Sequence, residues 1–490
     1  MQFGDNETPE MGHKNSWVLR SFLVKPANPF RLANDHFKFP SSTLSLMLQT
    51  YQNSLDNTEI LTPERHVFSL RTTFGLRVGG ASQAKMPVRE DVTVRCAALR
   101  YPISKSKQGL TLVLTHGLSS HKESYHPTIA HLLRMNATGT RYVNMIREIW
   151  SIDMPNHGES AVLNRAYLED RQERGRKEGW DGKCTTMDFT SYLDAFLSIP
   201  QLQGHRVVGI AHSGSSTPWT NVFTLLKQRT HPHPFALLFI EPVLMFPGMS
   251  STDPRVAHSN ANMRGSLAKR DKWSNRAEAK RWLLGIQGSG PEDQRRRRRD
   301  IDISGGAKQR ESQSQNVGSG RGKSINNGKA RGKTLWSKWD GRVLDLFVEH
   351  ALEGVCEPTL PLQGSANSTA TTAKSRTYVR SMNRKEEESS LYAHSQHTIE
   401  PEHLAHMCAA LGLRGGGVHI MWAESEEYIS QSSRDGILDA ASHRVLSDRV
   451  VPGSGHLVPQ ETPRELAETL YDVLVGHVAV AAGVTMRASL

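Results

Sequence analysis

The chain has 490 residues, a formal net charge of +11 at pH 7 and 37% hydrophobic residues, with a mean hydropathy of −0.49. That length allows one large core and a second lobe, but the low apolar content implies that part of the chain stays unpacked, and no apolar run approaches the length that crosses a bilayer. Cys96, Cys184, Cys356 and Cys408 are scattered, without a Cys-x-x-Cys pair, which argues against a disulfide framework and against a thiolate metal centre.

The first residues, MQFGDNETPEMGHKNSW, lack a basic segment followed by an apolar stretch, so no secretory leader is expected and the chain reads as soluble and intracellular. Residues 1–60 read as a polar N-terminal extension in which only Ser41–Leu48 suggests a short helix. Strand-like alternation begins at His66–Arg71 and resumes at Val92–Tyr101, an expected antiparallel pair at a sheet edge. Leu110–Thr115 is a continuous apolar strand of the type buried on both faces. It runs into His116-Gly117-Leu118-Ser119-Ser120 and a helical segment, Tyr125–Met135. Arg147–Ile152 is strand-like and leads to Asp153-Met154-Pro155-Asn156-His157-Gly158-Glu159-Ser160, and Thr186–Ile199 reads as a helix.

Val207–Ser216, VVGIAHSGSS, is an apolar, β-branched run that ends at Ala211-His212-Ser213-Gly214-Ser215 and is followed by residues with helical apolar spacing. A buried strand turning sharply into a helix with serine at the corner is a nucleophile elbow, in which the flanking positions must be small because strand and helix nearly touch. Here those positions hold Ala211 and Ser215 in place of two glycines. Further strands are expected at Phe235–Ile240, ending in Glu241-Pro242, at Val418–Trp422, ending in Ala423-Glu424-Ser425-Glu426-Glu427, and at His443–Val451. The last is followed by Pro452-Gly453-Ser454-Gly455-His456-Leu457-Val458-Pro459 and a terminal helix, Pro463–Leu474. Strands alternating with helices predict an α/β fold with a mostly parallel sheet covered on both faces, whose functional groups gather at the strand carboxyl ends.

Residues 242–410 separate the sixth strand from the next and read as a helical cap, through Trp273–Leu284 and Trp336–Leu352. Between those helices, Pro291–Lys333 holds twelve Lys/Arg against five Asp/Glu and almost no large apolar residues, the composition of a disordered insertion at about 287–335. Gly364–Ser390 is a second polar stretch, also expected to be mobile. The resulting division is an extension at 1–60, a first core segment at 61–241, the cap at 242–410, a second core segment at 411–480 and a tail at 481–490.

Taken in order, THGLSS, DMPNHGES, AHSGSS, IEP and PGSGHLVP resemble the α/β-hydrolases over Val92–Ile240 and Val418–Leu474. More narrowly, the long cap and the GSGHLVP ending are similar to the fungal toxin-biosynthesis and peroxisomal lipase branch of that superfamily. The resemblance implies an α/β-hydrolase fold with a helical cap after the sixth strand and a serine hydrolase acting on an ester, thioester or lipid-like acyl substrate. It implies Ser213 as nucleophile, His456 as general base in the order Ser…acid…His, and the backbone N–H groups of Leu118 and Gly214 as the oxyanion hole. Two carboxylates compete for the third place. Glu426 follows the strand that usually carries the acid, whereas Glu241 ends the preceding one, where an isolated carboxylate on an apolar strand is costly unless partnered; Glu241 is preferred and Glu426 kept as the alternative. His116 and His212 read as scaffold, and Asp153…His157 as a structural turn.

No cofactor and no metal are expected, the partner being a small acyl substrate and not a specific nucleic acid; the oligomeric state is open. Two other readings remain: a C–C bond hydrolase with the same triad, and a catalytically quiet hydrolase-fold protein that binds nucleic acid or a partner through the basic insertion. The C-terminal Ala488-Ser489-Leu490 is partway to a peroxisomal address, so a cytoplasmic or peroxisomal location is expected.

Overall fold

The apolar runs pair as their patterning predicts. In the computed structural model, which describes residues 62–76, 88–103, 108–138, 142, 145–224, 234–286, 334–358 and 375–486, eight strands form one sheet: β1 (Glu64–Leu76), β2 (Val88–Pro102), β3 (Leu110–Thr115), β4 (Ile146–Ile152), β5 (Arg206–His212), β6 (Ala236–Ile240), β10 (Val418–Ala423) and β11 (Ser447–Val451). Their order is β1-β2-β4-β3-β5-β6-β10-β11. β1 pairs antiparallel with β2 and β2 with β4, and every later pairing is parallel. The N-terminal extension with Ser41–Leu48, the basic insertion as far as Lys333 and the Ala488-Ser489-Leu490 tail lie outside the described residues.

All residues of β3, β6 and β10 are buried. A strand covered on both sides has no solvent face, so it reads as an unbroken apolar run. Alternation still decides which side each residue enters. Val113, Ala211, Leu237, Phe239 and Ile420 join a cluster with Trp150, Phe196 and Trp219. Leu112, Leu114, Ile210, Leu238 and Met421 join the opposite one with Ile129, Leu466 and Leu470. Helices α1 (His126–Thr138) and α10 (Pro463–Val473) pack together, as do α2 (Thr186–Leu197) and α3 (Ser216–Thr224). α2 starts at a capping box: Thr185 accepts from Asp188 N at 3.1 Å while Asp188 accepts from Thr185 N at 2.9 Å.

Between β6 and β10 the chain forms helices α4 (Pro254–Ala268), α5 (Arg276–Leu283), α6 (Gly341–His350), α7 (Lys385–Leu391) and α8 (Pro401–Leu413), and α9 (Gln431–Ala440) follows β10. The segment is not wholly helical. β7 (Lys272–Trp273), β8 (Leu352–Pro358) and β9 (Ser375–Ser381) make an antiparallel sheet in the order β7-β9-β8, over a small core that includes Trp273, Leu283, Leu344, Phe347 and Val379. Both expected cap helices are therefore trimmed. Asn275 accepts from Glu278 N and starts α5 after Trp273 has paired in β7; Asp340 accepts from Arg342 N and starts α6. Such N-caps fix a helix start that apolar spacing alone places too early. The stretch expected to be mobile, Gly364–Ser390, is ordered from Ser375 onward as β9 and most of α7. Its acidic run is buried there at Glu387 and Glu388, because both carboxylates find partners.

Candidate active site

β5 delivers Ser213 to the centre of the sheet's carboxyl edge. Six of its residues and the serine beyond are buried, and Ser213 takes a left-handed conformation, φ 55°, before the chain enters the turn that leads to α3. A non-glycine residue held there costs about 1–3 kcal/mol, which the surroundings must offset. Ser215 contributes to that. Its hydroxyl donates within a pair of contacts to the carbonyls of Thr115 at 3.1 Å and His212 at 2.9 Å, and Trp219 Nε1 donates to Thr115 Oγ1 at 2.9 Å. Serine at this flank thus gains anchors to β3 that glycine would lack. Gly117 cannot be replaced so easily, since a Cβ there would lie 2.6 Å from His212 Nδ1.

Ser213 Oγ lies 2.9 Å from His456 Nε2, and His456 Nδ1 lies 3.2 Å from Glu241 Oε2. With the carboxylate accepting from Nδ1–H, the lone pair of Nε2 faces the serine hydroxyl. His456 sits on the loop after β11, and its carbonyl accepts from His212 Nε2 at 2.9 Å. That loop is held by its neighbours: Gly453 N donates to Glu424 at 2.9 Å and Gly455 N to Glu461 at 2.7 Å. Glu241 ends β6 fully buried, with φ 45°. Its Oε1 accepts from Ala423 N at 2.6 Å, and Arg434 lies 3.8 Å away. Of the two candidate acids, then, Glu241 is the one brought to His456. Glu426 stays on the exposed side, accepting from Gln431 N at 3.1 Å at the start of α9.

Leu118 and Gly214 come together beside the serine. A Cβ on Gly214 would lie 3.1 Å from the Leu118 side chain and 2.9 Å from His397. Both residues line a small cavity with Met154, Phe189, Pro218 and Leu391, where Asn156 and Thr186 add polar edges. His397 donates from Nε2 to the Leu391 carbonyl at 2.8 Å, and burial lowers its pKa to about 4, so it is neutral. His116 and His212 are likewise lowered by burial, each to about 3. His116 Nε2 accepts from Met154 N at 3.2 Å, a scaffold contact. Asp153 accepts from Lys122, from Lys122 N and from Glu159 N, which holds its turn.

Two neighbours carried no signal in the sequence. The Tyr428 ring stacks on His456 at 3.8 Å between centroids, and on its other face His258 of α4 stacks at 4.8 Å. Asn262 donates to the Tyr428 hydroxyl at 3.0 Å. Arg434 reaches Glu241 from α9 and donates to the Ala423 carbonyl at 2.7 Å. Both depend on packing between segments that no local motif connects. Among the described residues, no group of three His, Cys, Asp or Glu side chains is arranged to hold a metal ion, and no helix is long and apolar enough to cross a membrane.

A family model described as "Alpha/beta hydrolase family" matches residues 112–469. No curated protein matches the sequence. Among solved structures, the chain is similar to the peroxisomal alpha-beta-hydrolase Lpx1 from Saccharomyces cerevisiae at 14% identity, over 84% of this chain and 88% of that one, with a TM-score of 0.46. It is similar to a thioesterase domain from the curacin biosynthetic pathway at 11% identity, over 82% and 99%, with a TM-score of 0.40. A thermophilic esterase from Thermogutta terrifontis gives 9% identity over 82% and 97%, with a TM-score of 0.38.

Proposed function

The chain belongs to the alpha/beta hydrolase family and is a hydrolase, and on that premise we propose that it cleaves esters or thioesters of small acyl groups through Ser213, His456 and Glu241. One observation supports this above the others: the continuous path from Ser213 Oγ to His456 at 2.9 Å and from His456 to Glu241 at 3.2 Å. A serine hydroxyl is a weak nucleophile until a base removes its proton. In this reading Ser213 Oγ attacks the acyl carbon as its proton passes to His456 Nε2, and the imidazolium is stabilised by the Glu241 carboxylate, which also fixes the tautomer. The carbonyl oxygen becomes an oxyanion held by the N–H groups of Leu118 and Gly214. His456 returns the proton to the leaving alcohol or thiol as the acyl–O or acyl–S bond breaks, leaving Ser213 acylated. Water then attacks by the same steps, releasing the acid and the serine.

The cavity beside Gly214 and Leu118 supports a small acyl group. It is a small space, far below the roughly 300–1,000 Å³ of pockets that take drug-sized ligands. Its apolar lining suits a short hydrocarbon chain. A series of nitrophenyl esters from acetate to dodecanoate, run on wild type and Ser213→Ala, tests the proposal. Turnover should be highest for the short chains and abolished in the variant. Equal turnover by Ser213→Ala contradicts the mechanism, and a preference for dodecanoate contradicts the acyl size.

A further inference from the structure

Ser119, next to Leu118, is held in a left-handed conformation, φ 66°, although nothing in its side chain favours it. Two routes from the cap helix α7 converge on it. Directly, the Ser119 hydroxyl donates to the Glu388 carboxylate and accepts from the Tyr392 hydroxyl at 2.7 Å. Through the core, Ser119 N donates to His157 Nε2 at 3.2 Å, His157 Nδ1 donates to Asn156 Oδ1 at 2.8 Å, and Asn156 Nδ2 donates to Glu387 Oε2 at 3.2 Å. The directions agree along the whole chain. Burial drives the His157 pKa well down, so its imidazole is neutral, with one nitrogen to donate and one to accept.

Both carboxylates are almost inaccessible, at 1% exposure for Glu387 and 4% for Glu388, and each is further anchored. Cys184 N donates to Glu387 at 2.9 Å. Lys269 and Ser266 donate to Glu388, each at 3.3 Å. A cap that only needed fastening to the core could be fastened at any point on its rim. Here adjacent carboxylates of one short helix both reach the residue after Leu118, and Leu391 of the same helix lines the cavity with Leu118 and Gly214.

We propose that Glu388, with Glu387 acting through Asn156 and His157, is a positioning residue that sets the Leu118–Ser119 backbone, so that the cap itself completes the oxyanion site. This rests on the serine-hydrolase reading above. An oxyanion donor acts only if it points to where charge will develop, and a small displacement of a reacting group is costly. Releasing Ser119 from its strained conformation would turn the Leu118 N–H away while leaving Ser213, His456 and Glu241 in place.

The test uses the full-length enzyme with nitrophenyl acetate as substrate and trifluoroacetophenone as a probe whose serine adduct carries an oxyanion. Ser119→Ala and Glu388→Leu should each lower kcat by about ten- to a hundredfold, with KM within twofold of wild type, and weaken the ketone by the same factor. Glu388→Gln, whose amide oxygen still accepts from the Ser119 hydroxyl, should restore most of the loss. The double variant Ser119→Ala/Glu388→Leu should lose clearly less than the sum of the two singles, because both break the Ser119–Glu388 contact. Ser119→Ala removes one hydroxyl and reads the effect even if Glu388→Leu does not fold. Wild-type kcat in Ser119→Ala, a change confined to KM, or additive losses in the double variant would overturn the positioning role alone. A wild-type enzyme whose turnover does not depend on Ser213 would overturn the function and this role together.

Discussion

At the scale of single residues, the site turns on a carboxylate that pays for its burial by being fully engaged. Glu241 is shielded from water, yet one oxygen meets Ala423 N and the other meets His456 Nδ1. Removing the charge while keeping the shape should disturb the tautomer of His456 more than the fold. Glu241→Gln is accordingly expected to lower kcat by about three to four orders of magnitude, whereas Glu426→Gln, on the exposed side, should stay near wild type; steady-state kinetics on nitrophenyl acetate compare the two. Tyr428 offers a subtler case. Its ring covers one face of His456, and stacked rings of this kind contribute about 0.5–1.5 kcal/mol beyond burial. Tyr428→Leu should lower kcat several-fold with little change in KM, and an unchanged kcat would remove Tyr428 from the account. Ser213 and His456 could be picked out because each sits in a short local pattern at a strand end. Glu241 could be argued from the cost of an unpartnered carboxylate, but Tyr428, Arg434 and Glu388 could not, since their relevance arises only when the cap and α9 pack over the strand ends.

Among the elements, β5 shows how closely strand and helix must approach to hold the elbow. A Cβ on Gly209 would lie 2.6 Å from Leu237 and 2.7 Å from the Trp219 ring, so neither α3 nor β6 leaves it space. Gly209→Ala should destabilise the protein by about 1–3 kcal/mol through overpacking, read as a lowered urea midpoint at unchanged slope. A midpoint equal to wild type would show that the elbow relaxes more easily than the packing implies. The central strands were legible from sequence because a strand buried on both faces admits only apolar residues. The cap was less so. Two-residue β7 is shorter than any periodic signal, and β8 and β9 alternate with charged residues such as Glu353, Arg376 and Arg380, so the pairing that orders them leaves no apolar run to read. Burial of Glu387 and Glu388 is equally silent, because a run of glutamates looks solvated until its partners are known.

The molecule as a whole carries a set of histidines that resist protonation. Burial lowers His116 and His212 to about 3, and His126, His397 and His419 to about 4. Their folded pKa values lie below the value of about 6.5 expected once unfolded, so on acidification the unfolded chain gains protons that the folded chain refuses. Stability therefore falls as pH drops below about 6.5, each histidine contributing up to about 1.4 kcal/mol per pH unit. The carboxyls of Asp153, pushed up to about 6, and of Asp188 and Glu387, also pushed up by burial, act in the opposite direction but are fewer. Thermal melts should show a melting temperature that declines steadily between about pH 6.5 and 4.5, and a flat or rising profile would contradict the assignment of neutral buried histidines.

All of these features serve one claim, that the serine at the elbow is an activated nucleophile. Reaction with a fluorophosphonate followed by peptide mass mapping tests it most directly. The adduct should map to Ser213 in wild type, be lost in Ser213→Ala and be strongly slowed in a variant lacking the His456 imidazole. Absence of an adduct at Ser213 in the folded wild-type protein would contradict the account.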